Sequence, residues 1–327
     1  MADAIAPNQA TSTSLASNTS PARTRRARID KRAVAWDERF VEALLFLAGA
    51  SGVLITLLIV GTLVYEAMAF FREVPVSVFL TDTSWGPQFA PPSFGVLPLV
   101  AGTLVTTAVA LLVAVPVGTI VALWLSEYAP TKLRESVKPV LELLSAVPTV
   151  VFGYFALLFV IPILQKMFGL VGHQLGGFNM LGAGLVMGFM IVPYIASLSE
   201  DAMRAVPKSL REGAYAMGAT KFQTCLQVVF PAALSGISAA YILAVSRALG
   251  ETMIVAVAAG GQPNLTIDPL QQAQTLTAFI ASVAKGDLPV DSIGYRSIFA
   301  VGLTLLLLTL VFNVAGYWLR QRYKETY

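Results

Sequence analysis

Cysteine, histidine and charged residues are scarce in this sequence of 327 residues. It contains one cysteine, Cys225, and one histidine, His173, and 13% of its residues are charged. One cysteine cannot form a disulfide within the chain, and a single Cys and a single His provide no metal-ligand cluster. We therefore predict no metal site, and interpret Cys225 as an inert thiol and His173 as a solvated loop residue. No Gly-x-x-x-x-Gly-Lys-Ser/Thr phosphate loop occurs either, so we expect no bound nucleotide or other cofactor in this chain.

Apolar residues are abundant and fall in long blocks. They make up 56% of the chain, and the mean hydropathy is +0.72, whereas soluble domains contain roughly 45–50% apolar and about 25% charged residues. Blocks long enough to cross a bilayer as helices lie at about 40–69, 96–125, 140–168, 181–198, 232–259 and 297–319. The sequence thus predicts an all-α polytopic membrane protein with six transmembrane helices. We divide it into a disordered basic tail (1–39), a first helix with an external loop (40–95) and a membrane core (96–327).

The net charge of +3 and the pI of about 9.0 reflect membrane orientation rather than nucleic-acid binding. Short loops rich in Lys and Arg stay in the cytoplasm. One side of the predicted membrane receives Arg23, Arg25, Arg26, Arg28, Lys31, Arg32, Arg39, Lys132, Arg134, Lys138, Arg204, Lys208, Arg211, Lys221, Arg320, Arg322 and Lys324. The other side receives only Arg72, Lys166, Lys285 and Arg296. We therefore expect an inner-membrane, multi-pass protein with cytoplasmic N- and C-termini.

The longest predicted cytoplasmic connection, residues 200–231, contains a candidate short helix. Ser209 is a possible N-cap with Glu212 three positions later, and Gly218 can end the helix. Such a helix would lie across the cytoplasmic face.

This loop resembles the EAA loop of ABC importer permeases. In that pattern Glu-Ala-Ala is followed after three residues by Gly, and after nine more by Ile-x-Leu-Pro. Glu212, Ala214, Gly218 and Pro231 match, whereas Gly213 replaces the first Ala. The resemblance implies the type I ABC importer fold, with a coupling helix that docks on an ATPase subunit. An interfacial helix with accidental spacing is the alternative.

Two opposite charges, Arg247 and Glu251, interrupt the fifth apolar block four residues apart. On one helix this spacing places them on the same face. Charges near the bilayer centre cost about 2.5–3.5 kcal/mol on insertion scales and usually face a bundle interior or a transport path. We predict that Arg247 contacts an anion transiently, and that Glu251 either holds the Arg247 side chain in place or weakens its hold on the anion. The alternative is mutual neutralisation that allows burial of the helix.

The segment Arg-Ala-Leu-Gly-Glu-Thr-Met, residues 247–253, resembles PstC-type phosphate ABC transporter permeases, of the binding-protein-dependent transport system inner-membrane component family. The resemblance implies phosphate import by alternating access, in which both Arg247 and Glu251 are required. It also implies a second homologous permease, an ATP-binding subunit dimer that holds ATP and Mg, a periplasmic or extracellular phosphate-binding protein and membrane lipid as partners. Glu142, Ser145 and Thr149 are further pathway candidates, because their spacing puts them on one face of the predicted third span.

Other functions remain open from the sequence. A permease for another oxyanion or small solute shares the EAA loop. A secondary transporter or channel can use the Arg247 and Glu251 pair for selectivity or proton coupling, but it leaves that loop without a purpose. An intramembrane enzyme is disfavoured, because the sequence shows neither a His-based nor a paired-acid cluster.

Overall fold

The computed structural model describes residues 31–290 and 292–322. By contacts, the chain consists of two units, residues 1–57 and residues 58–327. Most of the predicted N-terminal tail, residues 1–30, lies outside the described residues, as does Lys324.

Helices dominate the described part of the chain. The helices are α1 Lys31–Phe71, α2 Val76–Thr81, α3 Leu97–Leu123, α4 Thr131–Ser145, α5 Thr149–Phe155, α6 Ile161–Leu170, α7 Met180–Arg204, α8 Lys208–Ala216, α9 Lys221–Thr224, α10 Phe230–Ala232, α11 Leu234–Leu249, α12 Met253–Ala258, α13 Leu276–Ser282 and α14 Ile293–Arg322. π-helical turns lie at Trp124–Tyr128, Ala156–Val160, Cys225–Val229 and Val283–Asp287. Two short antiparallel strands, β1 Trp85–Gly86 and β2 Ser93–Phe94, pair with Trp85 opposite Phe94.

Five described helical segments are long and apolar enough to cross a membrane: Glu38–Phe71, Leu97–Tyr128, Thr149–Leu170, Met180–Arg204 and Ile293–Arg322. A sixth is obtained if Lys221–Ala232 and Leu234–Leu249, which meet at 71°, are counted as one bent span. The all-α membrane class is thus confirmed, and the differences from the sequence prediction lie at span boundaries.

The first membrane candidate begins at Glu38, close to the predicted span, but helical structure starts before the predicted boundary at residues 39 and 40. Helix α1 already begins at Lys31. Ala, Arg and Glu favour helix, and neither Gly nor Pro occurs in this helix before Gly49. Within the first unit, residues 38–57 expose their side chains, which suits a segment surrounded by lipid.

The predicted third span, 140–168, begins too early. Helix α4 ends at Ser145, and the membrane candidate starts at Thr149. Between them Pro148 adopts an extended conformation with φ −56° and ψ 130°, and a proline disfavours helical geometry in the residue before it. Helix α4 buries none of its side chains, and it forms a separate amphipathic segment.

The predicted fifth span, 232–259, is interrupted. Helix α11 ends at Leu249 and α12 begins at Met253. Gly250 lies at the end of α11 and is exposed. Apart from proline, glycine has the lowest helix propensity of all residues. Hydropathy does not detect this break because the flanking residues are apolar.

The centre of the second unit is the close contact between α3 and α7. A Cβ atom on Gly188 would lie 2.8 Å from the carbonyl oxygen of Ala110, and one on Gly184 would lie 2.7 Å from Cβ of Val109. Small residues permit such close approach of helices in membranes. The contact fixes α7, which carries Tyr194 and Glu200.

A cluster of aromatic side chains packs at the beginning of α3, within the second unit. It comprises Phe70, Phe79, Trp85, Phe94 and Phe279, all of them buried. The Trp85 and Phe279 rings meet edge to face with centroids 4.9 Å apart, a favourable aromatic geometry. This cluster packs α13 against the start of α3 and β1.

We predict that Gly188→Ala destabilises the protein, whereas Gly169→Ala does not. The added methyl group at residue 188 overpacks the contact with α3, at a cost of about 1–3 kcal/mol. Gly169 has open space around its Cβ position, and Ala there only improves helix propensity. The check is the thermal unfolding midpoint of both purified variants in one detergent, and equal midpoints would contradict the packing argument.

Candidate functional site

The break between α11 and α12 is stabilised by the carboxylate of Glu251. Its Oε1 atom accepts hydrogen bonds from the backbone N–H groups of Thr252 at 3.1 Å, Met253 at 3.0 Å and Ile254 at 3.3 Å. The side chain is buried, with 8% of its surface exposed. Glu251 therefore caps the beginning of α12, where backbone donors have no partner within the helix.

A buried group of hydroxyls packs against the other side of this break. Thr277 donates its hydroxyl to the backbone oxygen of Glu251 at 2.7 Å. Thr275 lies 3.1 Å from Thr277 and caps α13 by accepting from Ala278 N–H. Thr103 on α3 accepts from the N–H of Leu276 at 3.0 Å. Side chains thus provide hydrogen-bond partners for backbone groups at the starts of α12 and α13, as a membrane environment requires.

Arg247 lies one turn before the break, near the end of α11, and is half-buried. Its Nη1 donates to the hydroxyl of Tyr194 at 3.0 Å, and the guanidinium lies 4.3 Å from the centre of the Tyr194 ring. Its Nε atom is buried and has no hydrogen-bond partner among the residues that the structure describes. An arginine that is stacked on a ring and has a free N–H donor can bind an anion.

Arg247 and Glu251 do not form the ion pair that the alternative of mutual neutralisation requires. Among the described residues, no carboxylate oxygen lies within 4.0 Å of the Arg247 guanidinium. The prediction assumed a continuous helix, whereas the chain leaves the helix at Gly250 and turns the Glu251 side chain towards α12. Mutual neutralisation therefore does not explain these two residues.

Glu142, Ser145 and Thr149 do not share one helical face, contrary to the prediction. Glu142 and Ser145 lie on α4, whereas Thr149 begins α5 beyond the Pro148 break. Glu142 is exposed, and the Ser145 hydroxyl donates to the Glu142 carbonyl oxygen at 2.7 Å.

The EAA-like residues form a short exposed helix and the turn after it. Glu212 and Gly213 are exposed on α8, and Ala214 is half-buried. Gly218 adopts a positive φ of 84°, Gly218 N–H donates to Tyr215 O, and Ala219 N–H donates to Ala214 O, a Schellman ending of the helix. The predicted helix end is therefore confirmed.

The start of α8 differs from the prediction, and Pro231 lies in a separate short helix. The N-cap is Pro207 rather than Ser209, because the helix already begins at Lys208. Pro231 lies in α10, after the π-helical turn Cys225–Val229. The EAA-like positions thus extend from α8 to the bend before α11.

Two ion pairs missed by the sequence reasoning attach this region to the helix bundle. Arg211 on α8 binds Glu127 at 3.0 Å and donates to the carbonyl oxygens of Val206 and Met203 at 2.7 and 2.8 Å. Its side chain is 16% exposed, and that of Glu127 is 7% exposed. The partners are 84 residues apart in sequence, so no local pattern indicates them.

The second ion pair joins α4 to α7. Lys138 binds the buried Glu200 at 2.9 Å and also contacts Asp201. Burial alone would lower the pKa of Lys138, but hydrogen bonds to Asp201 and Glu200 and both negative charges raise this pKa above its ordinary value. Lys138 is therefore a fixed positive charge that holds α4 in place.

The two scarce residues occupy separate positions. His173 is exposed after α6, and Cys225 is buried in a π-helical turn. Among residues 31–290 and 292–322, no three His, Cys, Asp or Glu side chains form a group suited to a metal ion.

Comparison with known proteins identifies the family. Residues 114–325 match the family described as binding-protein-dependent transport system inner membrane component. This chain belongs to that family. It is therefore a multi-pass inner-membrane permease, a transport subunit rather than an enzyme.

Three relatives cover most of this permease. A probable ABC transporter permease protein, YqgH, of Bacillus subtilis is 36% identical over 75% of this chain and 78% of its own. The phosphate transport system permease protein PstC of Mesorhizobium japonicum is 35% identical over 74% and 77%. The protein of the same name from Xylella fastidiosa is 32% identical over 71% and 74%.

Solved structures confirm the type I ABC importer permease fold. A chain of a bacterial ABC transporter involved in alginate import gives a TM-score of 0.61 at 16% identity, covering 89% of this permease and 99% of that chain. A chain of the MetNI methionine ABC transporter in an inward-facing conformation gives 0.51 at 22% identity, covering 71% and 95%.

We predict that Glu251→Gln keeps most of the stability that Glu251→Ala loses. The Gln amide oxygen can still accept from the α12 N–H groups, whereas Ala removes the cap at a cost of about 0.5–2 kcal/mol. Thermal unfolding of the two purified variants separates capping from charge pairing. Equal destabilisation by Gln and Ala would show that the negative charge, rather than the acceptor, is required.

We also predict strong coupling between Arg211 and Glu127. Arg211→Met leaves a buried carboxylate unpaired and costs about 3–5 kcal/mol, and the double variant with Glu127→Gln costs less than the sum of both single changes. The control is the exposed pair of Arg296 and Glu73, where Arg296→Met costs about 1 kcal/mol or less. A double-mutant cycle in denaturant measures both, and additive effects at Arg211 and Glu127 would refute the anchor.

Proposed function

We propose that this permease forms half of the path by which an ATP-driven importer moves inorganic phosphate across the inner membrane by alternating access. The observation that carries the proposal is Arg247, whose buried Nε has no partner in the described part of the chain and whose guanidinium is stacked on Tyr194. A transported anion would provide the missing acceptor when it passes.

The physical case for an oxyanion is the character of this arginine. A guanidinium stays charged at physiological pH, and its planar set of donors matches the oxygens of phosphate. Keeping an unpaired charge within an apolar bundle is costly. Since Glu251 is occupied by the N–H groups of α12, structural neutralisation does not account for that cost, and a transient ligand does.

The relatives support phosphate in particular. Those from Mesorhizobium japonicum and Xylella fastidiosa are named phosphate transport system permeases. Another oxyanion remains the second candidate, since a guanidinium also binds sulfate. A secondary transporter or channel that relies on an Arg247 and Glu251 pair is not favoured, because these residues do not pair.

The proposed partners are the other subunits that an ATP-driven importer needs. Exposed Glu212, Gly213 and Gly218 at α8 offer a docking surface for an ATP-binding subunit dimer, which would hold ATP and Mg. A second homologous permease would complete the path, and a phosphate-binding protein would deliver the substrate on the other side. The distribution of Lys and Arg supports cytoplasmic termini. Thr149 at the start of α5 stays a predicted pathway residue.

We expect Arg247→Gln to reduce phosphate uptake by at least about tenfold, because a hydrogen bond to a charged group contributes roughly 1.5–3 kcal/mol. Arg247→Lys retains the charge but loses the fork, so it should fall between the wild type and Gln. The measurement is ATP-dependent uptake of labelled phosphate by proteoliposomes containing the complete transporter, with sulfate as competitor.

The control is Arg320→Gln, which removes an exposed arginine from the last turn of α14. Subunit ratios after size-exclusion chromatography must match the wild type in every preparation. Normal phosphate uptake by both Arg247 variants would defeat the proposal. Sulfate uptake that exceeds phosphate uptake would replace phosphate by the second candidate.

A further inference from the structure

A basic pocket lies beside α8, apart from Arg247 and the helix break. It has a volume of about 490 Å³ and is bounded by the π-helical turn after α3, the beginning of α4, the end of α7 and one side of α8. Its cationic residues are Arg134, Arg204, Lys208 and Arg211, and its carboxylates are Glu127 and Glu212. The pocket thus has a surplus of two positive charges.

The positive charges are not equally available. Arg211 is held by Glu127, and Arg204 lies 3.7 Å from the buried carboxylate of Glu200. Arg134 and Lys208 form no ion pair within the described parts of the chain. They belong to different walls of the pocket, because Arg134 lies on α4 and Lys208 begins α8.

This arrangement suits a phosphate group. One tetrahedral anion with several oxygens can accept from two cations on different helices, and two residues that carry hydroxyl groups, Thr131 and Tyr215, line the same pocket. The pocket is also large enough for a phosphate that carries a substituent. Basic pockets at the cytoplasmic side of membrane helices bind phosphate-bearing lipid head groups as well.

We infer that this pocket binds a phosphate group, from free inorganic phosphate or from an anionic lipid, and that its occupancy restrains α8. A bound anion between Arg134 and Lys208 links α8 to α4, which Lys138 in turn fixes to α7. Movement of α8 relative to α4 must break this link. An occupied pocket therefore slows the ATPase cycle of the assembled transporter. The binding site does not depend on Arg247, whereas feedback by imported substrate rests on the proposed function.

The test uses the complete permease and ATPase assembly in nanodiscs of phosphatidylcholine, with or without phosphatidylglycerol. ATPase activity is followed by ADP release, without the binding protein, while inorganic phosphate is titrated. We expect phosphate to lower the activity, and Arg134→Gln with Lys208→Gln to raise the half-effective concentration at least about tenfold. The activity of each variant is normalised to its own value without phosphate. Replacing Arg134→Gln by Arg134→Lys in the double variant should restore part of the response.

Two control variants locate the effect. Lys132→Gln removes an exposed charge of α4 outside the pocket and should leave the response unchanged. Arg247→Gln should also keep it, even though it impairs uptake. If Arg247→Gln abolishes the response, phosphate acts through the transport path and the pocket proposal is overturned, whereas failure of the Arg247 uptake test alone leaves it standing.

The two lipid compositions distinguish a lipid head group from free phosphate as the bound anion. An effect of phosphatidylglycerol that the double variant loses, without any effect of free phosphate, supports the pocket with lipid as the source. No response to either, or an identical response in the double variant, overturns the proposal. Loss of the ATPase subunit from the purified double variant would instead assign the pocket to an acidic segment of that subunit.

Discussion

The need to satisfy every backbone polar group inside the membrane determines how this permease can interrupt its helices. A broken helix exposes N–H and C=O groups that lipid cannot solvate. Here Glu251 accepts from the N–H groups of Thr252 and of the first two residues of α12, and Thr277 donates to the carbonyl oxygen of Glu251. The cap makes the break possible, and the break separates Arg247 from the carboxylate that a continuous helix would place beside it.

Three cationic side chains, Arg211, Lys138 and Arg247, differ in the partners that hold them. Arg211 and Lys138 are matched to carboxylates that are themselves buried, Glu127 and Glu200. Such pairs specify one arrangement of α8 and α4, because losing either partner would leave a buried charge uncompensated. Arg247 instead interacts with an aromatic ring and a hydroxyl, and its buried Nε donor has no partner among residues 31–290 and 292–322. The paired charges fix structure, whereas Arg247, which has no ion-pair partner among the described residues, is available to a ligand.

The sequence was informative where the physics is local. Hydropathy located the membrane segments, and the turn at Gly218 followed from its need for a positive φ. It failed where a short interruption lies within apolar residues, as at Pro148 and Gly250, because window averages smooth over three or four residues. Both signals were present as a proline and a glycine, but neither alone distinguishes a kink from a complete break.

Tertiary contacts were beyond sequence reasoning for a different reason. The pairing of Arg247 with Tyr194 spans 53 residues and depends on how α7 packs against α11, which periodicity does not reveal. The same packing explains why the arginine is useful. Stacking on a ring attached to α7 holds the guanidinium without neutralising it, whereas a carboxylate partner would compete with an incoming anion for the same donors. Any movement of α7 relative to α11 would change the donors offered, so the affinity for an anion becomes coupled to helix rearrangement.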